Sequence, residues 1–574
     1  MPVRARNCRV HSAALGLEQL GDHRPKSFRG TLRDDRLARE LYSEGAGIAR
    51  CLPLAVAVPV DALDVSVLVR WARTNGYSLM PRGSASGMAA GAIGPGIAVD
   101  LSRMNHIGAV DLGSQTIRVG AGAIRAHVDA TANAAGLRFP VDPSSGAFCT
   151  IGGMVGTNAA GARSLRFGPT RAWVSGLECV FDDGSIAWVR RGELPPSRVP
   201  AVLRLQETLE LIGVHTKPES LVHHGVRKES SGYAIADYLQ CPRDDASGLV
   251  ALLVGSEGTL AFFTQIELAL LPVAGATASL LAQFETLEAA TECALVAQEF
   301  GASACELLDR TFLDVAASKN ATGRSWHAEA VLLIEMEADN DLDAQRGANT
   351  LVAALWKHGA REVAVGLSVE AQHELWSLRH AASPILASLA PRLRSMQFIE
   401  DGCVPPANLP AYVRGIRRIL SRAEFTGVIF GHAGDAHIHV NPLIDTTQPD
   451  WRDRVHRALL EACELTARLG GTLAGEHGDG RLRAPLLQHI WNTEALAAFA
   501  NVKAAADPTG VLNAGCKVAP ADSFLRGDIR YDPAIPPLSP SARTILDQVE
   551  QTRDWSRFRL GEFANVGAES QQAH

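Results

Sequence analysis

The 574-residue sequence predicts an α+β protein built from two domain-forming halves and a helical segment after them. From Pro53, strand-like and helical text alternates and runs into glycine-rich loops. From 276 to about 425, helices alternate with strands and no motif glycines interrupt them, the pattern of helices packed on an antiparallel sheet. Beyond that, imidazoles concentrate in FGHAGDAHIHVNP (430–442) and AGEHGDG (474–480).

In the first half, AVAVPV reads as a strand, ALDVSVLVRWARTNG as an amphipathic helix closed by Gly76, and YSLMPRG as a strand entering PRGSASGMAAGAIGPG (81–96), with the strand IAVDLS after it. Small residues after a strand expose consecutive backbone N–H groups, a concavity suited to phosphate. The GxGxxG spacing of a Rossmann turn and the GK[ST] of a Walker loop are both missing. A second small-residue stretch, VDPSSGAFCTIGGMVGTNAAGARSLRFGPTRAWVSGLECVFDDGS (141–185), reads as a long irregular loop that returns to the strands VSGLECVF and SIAWVR, and two such loops in one domain suggest a dinucleotide gripped by main-chain amides. LVALLVGSEGTLAFFTQIELALLP (249–272) reads as strand, turn and strand, with Gly255 and Gly258 at the bend; Pro272 and AGATAS mark a boundary. RKESSGYAIADY is the distinctive part of an otherwise polar stretch from 195 to 247.

In the second half, ETLEAATECALVAQEF and DAQRGANTLVAALWKHG are helical, and ACELLD and AVLLIEMEA are strands. HELWSLRHAASPIL (373–386) is helical and carries Arg379, whose guanidinium suits a carboxylate, although a surface ion pair is the ordinary fate of a lone helical Arg. GVIFGH and AHIHVNP form two short strands, and His437, His439 and Asn441 share one face of the second. A single such His is an ordinary hydrogen-bonded strand residue; three with GEHGDG following suit a divalent transition metal. After about 520 the text is proline-rich and charged, a tail laid over the surface.

A formal net charge of −7 leaves no electrostatic footprint for nucleic acid. Ten cysteines without a CxxC pair exclude a ferredoxin module or zinc ribbon and suit a reducing compartment. LPLAVAVPV (52–60) is too short and proline-broken to span a bilayer, and AALGL too short for a secretory core. The expectation is a cytoplasmic protein, with peripheral contact at the inner membrane face left open.

Five stretches in this order, PRGSASGMAAG, TIGGMVGTNAAGARSLRFG, GSEGTLAFFTQ, GHAGDAHIHVN with GEHGDG, and VLNAGCKV, resemble the FAD-linked 2-hydroxyacid dehydrogenases and oxidases of the vanillyl-alcohol-oxidase/PCMH superfamily. D-lactate dehydrogenase, D-2-hydroxyglutarate dehydrogenase and the glycolate oxidase FAD subunit are the types it resembles, over about residues 45–520. The resemblance implies an N-terminal extension (1–44), a two-lobed PCMH-type FAD-binding domain (45–275), an α+β cap or substrate domain with an antiparallel sheet (276–465), a helical segment returning to the flavin (466–520) and a tail (521–574). It implies cofactor contacts from Arg82, Gly83, Ser84, Ala85, Ser86, Gly87 and Gly91, from Thr150, Gly152, Gly153, Thr157, Asn158 and Gly161, and from Glu257, Gly258 and Asn513. His432, His439 and Glu476 fall on metal-ligand positions, for zinc first and manganese or iron otherwise. His477 falls on the base position, and Arg379 and Asn441 on substrate positions. No His stands in PRGSASG, which implies noncovalent FAD.

Two departures bear on function. His437 stands where relatives carry Asn, a third imidazole that joins the outer shell or alters metal preference. Ile399 replaces a Lys and Glu400 adds an anion, which disfavours a dicarboxylate and favours a D-lactate-like monocarboxylate or a larger, less charged hydroxyacid. The implied reaction is oxidation of a 2-hydroxyacid to the 2-oxoacid, with oxygen, a quinone, a cytochrome or an electron-transfer flavoprotein as acceptor and a homodimer compatible. The alternatives are a flavin-binding subunit of a glycolate-oxidase-like electron-transfer complex, a non-redox flavoenzyme of the same fold and a zinc metallohydrolase.

Overall fold

The computed structural model describes residues 24–317, 327–380, 392–519 and 529–553; the first 23 residues, 381–386 of the expected helix and the end of the tail lie outside them. Two larger sheets carry the first domain, beside the two-stranded pairing of Leu137–Arg138 with Leu271–Pro272. In one, Ala55–Val58, Ile97–Asp100 and Leu79–Arg82 run parallel, and Thr31–Arg33 adds an antiparallel edge. The crossover helix Ala62–Asn75 starts because the Asp61 side chain accepts the Asp64 amide and stops because Gly76 adopts φ 73°. The other sheet is antiparallel, in the order Ile107–Asp111, Thr116–Gly120, Phe262–Ala269, Val174–Val180, Ile186–Arg190.

In the second domain, the strands run Glu362–Gly366, Ala276–Phe284, Ala330–Ala338, Ala304–Asp309, Thr426–His432, His437–Asp445, Leu393–Ser395, all antiparallel. Leu287–Glu299, Asp341–Lys357, Leu409–Arg422 and Trp451–Arg468 supply apolar residues to one core, and Arg310–Ala317 and Val369–His380 to another. The helix Thr493–Ala506 then returns to the first domain, where Ala495, Phe499, Val502 and Leu512 enter its core. No helix among the described residues is long and apolar enough to cross a membrane.

Four sequence expectations change. The first sheet begins before residue 45, because Thr31–Arg33 pairs with Ala55–Val58. The stretch from 141 is not all loop: Thr150 caps the helix Ile151–Thr157 and Asn158 ends it at φ 55°. Ser247–Leu253 is a helix, not a strand; it is buried from Gly248 to Leu253, and an all-apolar run carries no period to separate the two. The tail contains the helix Pro540–Thr552, whose Leu546 and Val549 are buried, with Leu546 in one cluster with Ala38 and Leu41, at roughly 1.5–3 kcal/mol for each of these two large side chains.

Asp309 closes its strand and accepts the Phe312 amide at 2.9 Å. Burial pushes its carboxyl up to about 7, against that hydrogen bond, from about 3.9 in an unfolded chain. The folded state therefore holds the proton more tightly. The resulting stabilisation is full below about pH 4 and is lost as pH rises through about 7. Asp309→Asn, which keeps an acceptor and does not titrate, should gain stability relative to wild type between about pH 5 and about pH 8 in denaturant melts. A difference that does not vary with pH would refute this.

Candidate active site

A cavity of about 320 Å³ lies where three loops of the first domain meet the imidazole-bearing strands of the second. Arg82, Gly83, Ser84, Ala85, Ser86, Gly87 and Gly91 line it from the first loop. Ala85 holds φ 60°, a left-handed conformation costly for a residue with a Cβ, which marks a constrained loop. At Gly87 and Gly156 nothing lies within 4 Å of where a Cβ would stand, so a ligand can reach the main chain there. Gly152, Gly153, Thr150 and Thr157 line the second loop's wall, and Glu257 and Gly258 the third's. The loops fit closely: a Cβ on Gly83 would stand 2.2 Å from Thr150 Oγ1, and one on Gly258 2.3 Å from Pro81 Cγ. This glycine-rich wall suits a dinucleotide whose phosphates approach backbone amides.

Some residues of this set also brace the wall, and others stand behind it. The Arg82 guanidinium donates to the carbonyls of Tyr42 and Glu44 at 2.8 and 2.6 Å. Asn158, Gly161 and Asn513 stand behind the lining. Asn158 accepts the Arg171 amide at 2.9 Å, and Gly161 O accepts from Lys228 Nζ at 3.2 Å. Asn513 donates to Gly91 O at 3.0 Å and Glu257 O at 2.7 Å while accepting from Arg481, so its amide ties the first and third loops together. The Glu257 carboxylate likewise accepts the amides of Asp479 and Gly480 at 2.7 and 2.9 Å.

At the other end, His432 and His439 present Nε2 to Glu476 Oε1 at 3.1 and 3.4 Å. Tetrahedral bonds of about 2.1 Å put neighbouring donors about 3.4 Å apart, so each imidazole stands from Glu476 at a spacing that suits a zinc-sized cation, and the three donor atoms lie within 4.8 Å of one another. Each imidazole is oriented from its far side, His432 Nδ1 by the Glu306 carboxylate and His439 Nδ1 by the Glu400 carbonyl at 2.8 Å. Burial lowers the His439 pKa, which keeps the ring neutral and able to donate its lone pair. Burial would raise the Glu476 carboxyl, but Lys228, 3.2 Å from Oε2, and His432 hold it well below the usual range.

His477 faces the same cavity, Nδ1 held 2.7 Å from Glu400 Oε2 and Nε2 3.7 Å from Glu476 Oε1. Arg379 and Asn441 also line it. Arg379 Nε donates to Glu306 at 2.7 Å and its guanidinium lies 5.0 Å from the Phe430 ring centroid. Burial works to raise Glu306, but His432 and Arg379 overcome it and hold that carboxyl far down.

Glu400 corrects an expectation. It is no bare anion repelling substrate, because it binds His477 and is ion-paired with the buried Arg483. Sequence reading also missed Glu306, Lys228 and Arg483. The signals were an acid inside the apolar strand ACELLD, in register with His432, the lysine of RKESSGY, and the second arginine of the RLR that follows GEHGDG.

The fit between the first two loops makes Gly83→Ala an informative change. Overpacking against Thr150 should destabilise the protein by about 1–3 kcal/mol and reduce the flavin that copurifies. Unchanged melting and flavin content would show that the contact is relieved without cost.

The FAD binding domain family matches residues 53–190, and the family described as FAD linked oxidases, C-terminal domain, matches residues 274–516. The chain is 29% identical over 487 residues to glycolate oxidase subunit GlcD of Bacillus subtilis, covering 84% of this chain and 93% of that one. It is 28% identical over 467 residues to D-lactate dehydrogenase of Archaeoglobus fulgidus, covering 80% and 90%. It is 27% identical over 547 residues to D-2-hydroxyglutarate dehydrogenase of Escherichia coli, covering 89% of this chain but only 52%, about half, of that relative. Among solved structures, an alkyldihydroxyacetonephosphate synthase superposes with TM-score 0.59 at 15% identity, covering 84% of this chain and 82% of that one. A 4-ethylphenol oxidase from Gulosibacter chungangensis superposes with TM-score 0.59 at 16% identity, covering 85% and 94%. At such identities the structural likeness is one of fold. With an FAD binding domain followed by the C-terminal domain of the FAD-linked oxidases, the chain belongs to the FAD-linked oxidoreductases of PCMH-type fold.

Proposed function

We propose that this protein oxidises a D-lactate-like 2-hydroxyacid to the 2-oxoacid. One observation carries the reading: a carboxylate-held imidazole, a three-donor metal set and a guanidinium line the cavity that the glycine-rich loops also line. The relatives named glycolate oxidase subunit and D-lactate dehydrogenase support the substrate class. Bound noncovalently along the three loops, FAD would supply the hydride acceptor; a divalent cation on His432, His439 and Glu476, zinc by its donors with manganese or iron as alternatives, would supply Lewis acidity.

His477 Nε2 takes the hydroxyl proton, and Glu400 at Nδ1 fixes the tautomer and stabilises the imidazolium that forms. Arg379 holds the substrate carboxylate, with Glu306 fixing the guanidinium from its Nε side. Asn441 supplies an amide at the same wall. Among the described residues the cavity wall carries two arginines, Arg379 and Arg82, and Arg82 is bound to main-chain carbonyls. One cation for the substrate suits one carboxylate, and Ile399 adds none, so the monocarboxylate is preferred.

Anaerobic addition of D- and L-2-hydroxyacids should bleach the flavin absorbance with one enantiomer of a monocarboxylate. Flavin that no member of the panel reduces, with zinc or manganese supplied, would sink the dehydrogenase reading. His477→Gln should lower the rate of that bleaching at least about 100-fold while flavin and metal contents are retained. Undiminished reduction in that variant would remove His477 from proton transfer.

A further inference from the structure

His437 is wholly buried and is not part of the cavity lining. One ring nitrogen of His437 falls within 4.8 Å of the donor atoms of His432, His439 and Glu476, all four mutually within that span. Its ring centroid lies 4.7 Å from that of His439 and 5.4 Å from that of His432. Nε2 is 2.8 Å from Asp401 Oδ1, and the carboxylate accepts from it, so the proton sits on Nε2 and Nδ1 carries the lone pair. That Nδ1 is buried and has no hydrogen-bond donor among the described residues. A buried acceptor without a partner costs about 1–3 kcal/mol, and native structures give such atoms a reason.

We propose that His437 is a further protein donor to the cation, through Nδ1, making the set His432, His437, His439 and Glu476. The inference rests on the metal part of the function proposed above. Asp401 is then the orienting carboxylate behind a metal-bound imidazole, the relation Glu306 bears to His432. Three imidazoles and one carboxylate favour zinc over magnesium or calcium, and a four-donor set holds its ion more tightly than a three-donor set. Substrate oxygen would enter as an added ligand, which zinc accommodates by expanding to five-coordinate.

The test uses the full-length flavoprotein, stripped with a chelator and reloaded with zinc alone. Zinc K-edge X-ray absorption should report three imidazoles in the wild type and two in His437→Asn. Competition with a chromophoric chelator should show zinc binding weakened more than about 100-fold in the variant, beyond the loss expected of an outer-shell change. Two imidazoles in the wild type, or unchanged zinc affinity in His437→Asn with its flavin content intact, overturns the proposal and leaves the dehydrogenase reading standing. A wild type that takes up no zinc overturns the proposal together with the metal part of that reading, which the bleaching experiment tests separately. The wild-type spectrum alone decides the donor count if the variant fails to fold.

Discussion

The site depends on one buried acid. Asp401 is 1% exposed, and its two oxygens serve His437 Nε2, the backbone amides of Glu476 and His477, and the guanidinium of Arg483. A carboxylate taken out of water must find partners of this kind or lose its charge, and burial pushes this one's pKa up even among them. Because the partners come from both histidine-bearing motifs, satisfying Asp401 also fixes the spacing between them. The separation of Glu476 from His432 and His439 follows from that constraint as much as from the strand that carries the two imidazoles.

The same rule extends outward through alternating basic and acidic side chains. Arg379, Glu306, His432, Glu476 and Lys228 form a chain in which each member touches the next, and Lys228 also reaches the carbonyl of Gly161 in the second glycine-rich loop. Glu257 of the third loop meets Lys517, which is paired at 3.1 Å with Asp479 of GEHGDG. Such pairs are weak evidence for stability, since desolvation offsets much of their attraction. Their effect here is positional: the wall of the cavity and the donor set at its end are held by common atoms.

The fold was legible where residues repeat with a period or where turns need particular residues. The helix Ala62–Asn75 announces its end in Gly76, and the alternation of His437, His439 and Asn441 places three polar groups on one face of a strand. It was not legible where burial is complete, as in Ser247–Leu253, or where a short element is set by caps alone, as in Ile151–Thr157. Within the site, the donors and the base stood out as motifs. Glu306, Lys228 and Arg483 did not, because their meaning lies in partners 73 to 248 positions away. The reading of Glu400 as a bare charge was incomplete for the same reason, since sequence shows the anion and not the arginine that it shares with Asp401.

The return of the C-terminal segment has a consequence for biosynthesis. Leu512 bridges Leu79 at the edge of the first sheet, and Phe499, Val502 and Val511 complete the core that Val65, Leu68 and Ile97 begin. Domains generally fold as units in the order the ribosome delivers them. Here the N-terminal domain lacks part of its own interior until almost the whole chain has emerged. Most of the second domain's core emerges before that helix, and the nascent first domain keeps an unfilled apolar groove until the helix arrives. A ribosome stalled after the second domain would therefore carry a complete sheet of imidazoles beside an open cofactor lobe, a species whose exposed groove is a natural target for chaperones.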